Sequence, residues 1–264
     1  MNKEIGSYHH LYFPLKGQKL FLKNCSYFSS GRIAIYSLFK FLLSKQRVEQ
    51  VWLPDYYCTE TTLFLERKGI KVKKYFDPVT SNKLKIPISN KGTKALLIIC
   101  NTYGLRNIKE FEEFLFQENF VTLIDQTHSP FSINEKISGD YSLISLRKAF
   151  PIADGAVLIS HKKLIKFKKS MFNYSVNKIA SVRYLSMFLK TLYLYLPFLK
   201  ILKKFFLHLY SYSEENFGFL KEDTSPSLLS IILRKFFLKN NISRIVLNRE
   251  ILEKTLSKYI PRFK

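Results

Sequence analysis

The feature that most limits the possible folds is a repeated pairing of an apolar run with a polar end. The runs VEQVWLPDYYC, KALLIICNTYG, FVTLIDQTHSPF and YSLISLRK are each short, buried in character and closed by polar or turn-forming residues. Segments of helical spacing lie between strand-like ones. SSGRIAIYSLFKFLLSK opens on an N-cap signature, and Ile33, Leu38 and Leu42 then share one face. TETTLFLERKG reads as a helix ended by Gly69, and IKEFEEFLFQEN as an amphipathic helix. IKVKKYFDP alternates like a strand, and GAVLIS is a further apolar strand. Strands alternating with helices of this length imply βαβ units and a mainly parallel sheet flanked by helices. Ligands of such sheets gather at the C-terminal strand ends. Four polar clusters are expected there: Pro54 to Cys58, Asn101 to Gly104, Asp125 to His128 and Ser145 to Lys148.

After Ser160 the pattern becomes helical, rich in Leu, Phe and Tyr, and studded with lysine. Lys190 and Pro197 interrupt its most apolar part, which makes it a poor membrane span. Helices packed on the sheet or on a partner subunit are expected, with an anionic membrane surface as the alternative. EENFGFLKEDTSPS reads as a polar loop, followed by helices over SPSLLSIILRKFFLKNN and ISRIVLNREILEKTLSKYI. The expected division is an α/β domain over 1–165 and a helical extension over 166–264.

Lys and Arg outnumber Asp and Glu by 43 to 20, a net charge of +23. Nucleic acid, anionic membranes and phosphorylated ligands all suit that excess. The lysines are spread along the whole chain, however, and a general bias toward Lys, Ile, Asn, Phe and Tyr gives the same totals. No helix-turn-helix, zinc or RNP-type motif supports nucleic acid, so no nucleic-acid partner is expected. The three cysteines are far apart and lack metal-ligand spacing. They suggest a reducing compartment and no structural metal. The first residues, MNKEIGSYHHLYFPLKG, lack the apolar core of a secretory signal. A cytoplasmic protein is expected, with association at the inner face of the membrane as a variant.

Within SLRKAFPIADGA, Ser145 stands three residues before Lys148, with Arg147 between. A lysine fixed at a strand end can capture an aldehyde when deprotonated. Ser145 could bind a phosphate oxygen, and Arg147 could add charge for it and lower the lysine pKa. A solvated surface loop explains the same tetrapeptide. Asp125 closes a buried strand and needs a partner; a protonated ring nitrogen is one, and an N-cap role is another. His128 can donate to a ligand oxygen or serve as a structural hydrogen bond. Gly31 and Arg32 sit at a helix N-terminus, which is an anion site or an ordinary capped helix. Read together, these are a phosphate cradle, a ring-nitrogen partner, an oxygen donor and a reactive lysine. Pyridoxal 5′-phosphate carries the four matching groups.

In this order and spacing, SSGRIAI, VWLPDYYCTETT, IICNTYG, LIDQTHSPF and GDYSLISLRKAFPIADGAVLIS resemble the fold type I pyridoxal-phosphate enzymes. Within them the chain resembles the DegT/DnrJ/StrS group of nucleotide-sugar aminotransferases. The resemblance spans roughly 28–160 and implies an aspartate-aminotransferase-like large domain. It implies Lys148 as the lysine on the cofactor aldehyde, Asp125 on the pyridine nitrogen and His128 near the 3′-oxygen. Ser145 and the Gly31-Arg32 turn would hold the phosphate. Tyr56 or Tyr57 would cover the ring, although strict register puts Cys58 there. Asn101 and Tyr103 would approach from the neighbouring strand. The implied activity is amino transfer, with glutamate as the expected donor, to a keto-sugar nucleotide for surface polysaccharide synthesis, in a homodimer. Two departures stand out. The sugar aminotransferases commonly carry SFxxxK, whereas here serine and lysine are three apart. The stretch 242–260 resembles the helix leading into the family's small domain, which implies a truncated small domain and, as an alternative, a non-catalytic relative. The lysine itself favours transamination, because related sugar dehydratases carry histidine there.

Overall fold

The computed structural model of the chain describes residues 23–77, 94–101, 119–128, 139–167, 172–196, 198–217 and 224–240. The helices expected from IKEFEEFLFQEN and over 242–260 lie outside the described residues, as does Tyr103. The strands are β1 (Cys25–Phe28), β2 (Gln50–Pro54), β3 (Val72–Tyr75), β4 (Ala95–Cys100), β5 (Phe120–Asp125), β6 (Tyr141–Ser145) and β7 (Ala156–Ser160). The helices are α1 (Gly31–Ser44), α2 (Thr59–Arg67), α3 (Leu146–Ala149), α4 (Tyr174–Tyr195), α5 (Ile201–Phe217) and α6 (Leu228–Asn240).

The strands form one sheet in the order β1-β7-β6-β5-β4-β2-β3. β3, β2, β4, β5 and β6 run parallel, as the sequence pattern implies. β7 runs antiparallel to β6 and to β1. The reason lies in the connection: Leu146–Gly155 is too short for a crossover to a parallel neighbour, which takes a dozen residues or more. Gly155, at a φ of 123°, makes the final turn into β7.

Alternation along the buried strands sends side chains to both faces. Val51, Leu53, Leu96, Ile98, Leu123 and Leu143 meet Ile33, Ile35, Leu38 and Leu42 of α1, with Phe64 and Leu65 of α2, in one core cluster. The other face holds Trp52, Leu97, Ile99, Phe120 and Ile124, and further along Ile144, Phe150, Val157 and Ile159. α1 begins where expected because the Ser30 side chain accepts from the Ile33 N–H. α2 ends where expected at Gly69, whose φ of 73° suits the position after a helix.

The helical region is tied to the sheet. α4 and α5 form an antiparallel hairpin, joined where the Ser186 hydroxyl donates to the Phe206 carbonyl at 2.7 Å. Ala153 packs in one cluster with Val176, Ile179, Ala180 and Tyr184 of α4 and Phe217 of α5. The buried Asp154 carboxylate accepts from the Ser227 N–H at 2.8 Å, the Ser227 hydroxyl at 2.6 Å and the Ser230 hydroxyl. It thereby holds the start of α6. Burial pushes the Asp154 carboxyl above its ordinary value, against the pull of those donors and of Arg183. Glu214 to Phe217, expected to open a polar loop, are helical instead and continue α5, because Glu214 is drawn inward by two arginines. Among the described residues, no helix is long and apolar enough to cross a membrane.

Candidate active site at the strand ends

The parallel register places Pro54, Cys100, Asp125 and Ser145 at one edge of the sheet. The loops leaving them enclose, with the start of α1, a cavity of about 280 Å³, at the small end of the usual range for small-molecule sites. The described site residues expected from the sequence all line it: Gly31, Arg32, Tyr56, Tyr57, Asn101, Asp125, His128, Ser145 and Lys148. Cys58 does so too.

A chain of hydrogen bonds fixes the floor. Tyr57 leaves β2 through a turn closed by its N–H to the Pro54 carbonyl. Its hydroxyl donates to Asp125 Oδ2 at 2.7 Å. Burial, and then the Asp125 charge, push the Tyr57 hydroxyl well above its ordinary range, so it stays a donor. Asp125 Oδ1 accepts from the Thr127 N–H at 2.9 Å, and Thr127 Oγ1 accepts from the Ser145 N–H at 3.2 Å. Four residues from three strand ends thus hold one another in place. A carboxylate has about four acceptor sites, so these two bonds leave Asp125 capacity for a further donor from the cavity.

Lys148 and His128 are exposed to the cavity. The protein crowds His128 enough that desolvation lowers its pKa; the Lys148 ammonium lowers it further and Asp125 opposes both. His128 is therefore neutral at physiological pH and offers one donor and one acceptor. The N-terminus of α1 supplies the anion-favouring corner, with the Gly31 and Arg32 N–H groups lacking intrahelical partners. Arg32 is steadied by Glu60 at 3.1 Å.

Two of the lining residues also have partners outside the cavity. The Tyr56 hydroxyl donates to Asp77 Oδ2 at 2.7 Å. Arg147 pairs with Glu214 at 2.5 Å, and Glu214 also accepts from Arg183 at 2.7 Å. Burial alone would raise the Glu214 carboxyl, but Arg147 and Arg183 together hold it below its ordinary value. The Arg147 charge thus serves α5 as well as the cavity. The structure adds Thr127 and Glu214 to the residues expected from the sequence. The Asp-x-Thr spacing is an Asx-turn signal that could have found the first; nothing local marks the second.

No family model matches the chain, and no curated protein matches it. Among solved structures, the chain is similar to Helicobacter pylori PseC, an aminotransferase involved in the biosynthesis of pseudoaminic acid, at 16% identity and a TM-score of 0.45. That match covers 58% of this chain and 47% of PseC. A NifS-like protein matches at 17% identity over 58% of this chain and 46% of its own, with a TM-score of 0.43. A high-resolution structure of SPT with a PLP internal aldimine matches at 14% identity over 53% of this chain and 39% of its own, with a TM-score of 0.41. The chain spans less than half the length of each. The chemistry of the cavity rests on its own residues.

Proposed function

We propose that the cavity binds pyridoxal 5′-phosphate and that the protein is an aminotransferase acting on a keto-sugar nucleotide, with glutamate as donor. One observation carries this reading. A lysine amine, a strand-end carboxylate, a neutral imidazole and a helix N-terminus, read separately from four parts of the sequence, line a single cavity.

The donor set fits the cofactor. Lys148 Nζ would hold the aldehyde carbon. Asp125, positioned by Tyr57 and Thr127, would hold the ring nitrogen and keep it protonated. Ser145 Oγ and the Gly31 and Arg32 N–H groups would hold the phosphate, and His128 the ring oxygen. When bound, the cofactor supplies an electrophilic carbon for amines and a ring that accepts the electron pair released at the substrate carbon. Released from the aldehyde carbon by the incoming substrate amine, the free Lys148 amine would serve as the base that moves a proton at the substrate carbon, beside Arg147. The lysine, where the resembling dehydratases carry histidine, supports transfer of an amino group. The homodimer and the role in surface polysaccharide synthesis belong to the same proposal and rest on the resemblance.

Titration with pyridoxal phosphate tests it. The expected result is a cofactor absorbance band displaced from that of the free aldehyde, absent in Lys148→Ala, and altered by glutamate. A spectrum that stays that of the free aldehyde rejects cofactor binding. A displaced band that glutamate never changes rejects glutamate as donor and points to a cofactor-binding protein without this turnover.

A further inference from the structure

The hairpin of α4 and α5 ends in a surface that the cavity does not use. Tyr195, Phe198, Ile201 and Phe205 are 68, 73, 62 and 55% exposed, and Leu196 and Leu199 beside them are also exposed. Lys200, Lys203 and Lys204 are interleaved with them and exposed. From Gly155 to Ser213 the sequence contains no acidic residue. We propose that this hairpin tip docks on an anionic lipid surface, with its aromatic and aliphatic side chains entering the headgroup boundary and its lysines meeting the lipid charges.

Three observations favour lipid over a protein partner. The first is composition. The cores of protein interfaces are depleted in lysine, whereas helices that lie in a membrane boundary combine lysine with Phe, Leu and aromatic rings. The long lysine stems reach outward and leave the apolar part free to enter. The second is backbone satisfaction. The Leu196 N–H bonds Leu192, Leu199 bonds Leu196, Lys200 bonds Phe198, Leu202 bonds Leu199 and Lys203 bonds Lys200. Five N–H groups already bonded within the turn reduce the number of donors that would be stranded in a medium poor in water. The third is support from beneath. Tyr193, Leu194 and Phe206 form a separate small cluster, with Leu189 and Leu202 against it. The tip therefore holds its shape without the exposed side chains. Ile201 stands about 20 Å along α5 from Glu214, at 1.5 Å per residue, so the tip projects away from the Arg147–Glu214 anchor.

Co-flotation with vesicles is the test, using phosphatidylcholine alone and phosphatidylcholine with roughly one third phosphatidylglycerol. The full chain should float with the anionic vesicles, weakly with the neutral ones, and less at high salt. The combined change Phe198→Ser, Ile201→Ser, Phe205→Ser keeps the full net charge and should reduce binding by roughly tenfold or more. Lys200→Glu, Lys203→Glu, Lys204→Glu should also reduce it. The fluorescence of Trp52, the only tryptophan of the chain and 4% exposed, reports that each variant is folded. In a Phe198→Trp variant, a second emission component should shift to the blue on anionic vesicles. The proposal is overturned if the full chain stays with the buffer. It is also overturned if the serine variant floats as well as the parent, which assigns binding to net charge alone. Sedimentation showing that the serine change converts an oligomer to a monomer assigns the tip to a second copy and likewise overturns it. None of these outcomes depends on cofactor binding.

Discussion

The cavity at the strand ends and the tip of the α4–α5 hairpin are built from the same residue types, aromatics and basic side chains, in opposite arrangements. In the cavity the polar groups are matched across long sequence separations. Tyr57 meets Asp125, Arg32 meets Glu60, and Arg147 meets Glu214. At the tip the basic groups share their stretch with no carboxylate, and the apolar side chains face outward. A fixed, mutually hydrogen-bonded set suits one small ligand held in one pose. A charged and apolar surface whose own stretch carries no carboxylate suits a partner that is itself anionic and fluid.

The largest stability effect should fall on neither region but on the anchor that ties α6 to the sheet. Asp154→Ala strips the Ser227 N–H and two hydroxyls of their acceptor in the interior. It should cost about 3 kcal/mol in urea unfolding, and a cost below about 1 kcal/mol would remove Asp154 as the anchor of α6. Because burial raises the folded-state pKa of Asp154, its contribution is fullest at acid pH and declines as pH rises through that folded value. The cost of the substitution should shrink in the same direction.

Glu214→Gln comes next, at about 2 kcal/mol, discounted for its partial exposure. Its pH signature is the reverse. The depressed carboxyl stabilises the fold above the ordinary carboxylate value, and that stability is lost as pH falls through the folded value. The variant should flatten the acid limb of the stability profile; an unchanged limb would show that the Arg147–Glu214–Arg183 pairing adds nothing. Tyr57→Phe should cost about 1 kcal/mol and weaken pyridoxal phosphate binding, since Asp125 loses its positioning donor. Equal affinity in the variant would limit Tyr57 to packing. The smallest effect belongs to the tip. Phe198→Ser with Ile201→Ser and Phe205→Ser should stay within about 0.5 kcal/mol of the parent, and a large loss would mean these side chains belong to the core.

The strand ends are legible in the sequence because a buried parallel strand leaves an apolar run, and its end is where polarity returns. That pattern alone marks Asn101, Asp125, Ser145 and Lys148. Their partners are not legible, because nothing local joins Tyr57 to Asp125 or Asp154 to Ser227; the sheet and the packing of α6 bring them together. Asp154 reads locally as half of an Asp-Gly turn, which it also is. The edge strand β1 is silent in the sequence because four residues, most of them partly exposed, give no periodic signal. The antiparallel direction of β7 is in principle readable from the short connection after β6. Glu214 reads as loop by composition and is helical because Arg147 and Arg183 neutralise it.

Borohydride reduction of the full chain incubated with pyridoxal phosphate, followed by peptide mapping, tests the central claim most directly. The expected result is a pyridoxyl mass on the peptide that contains Lys148, at about one label per chain, and its loss in Lys148→Ala. A label scattered over the other lysines, or one that persists in Lys148→Ala, would contradict the assignment of this cavity as the cofactor site.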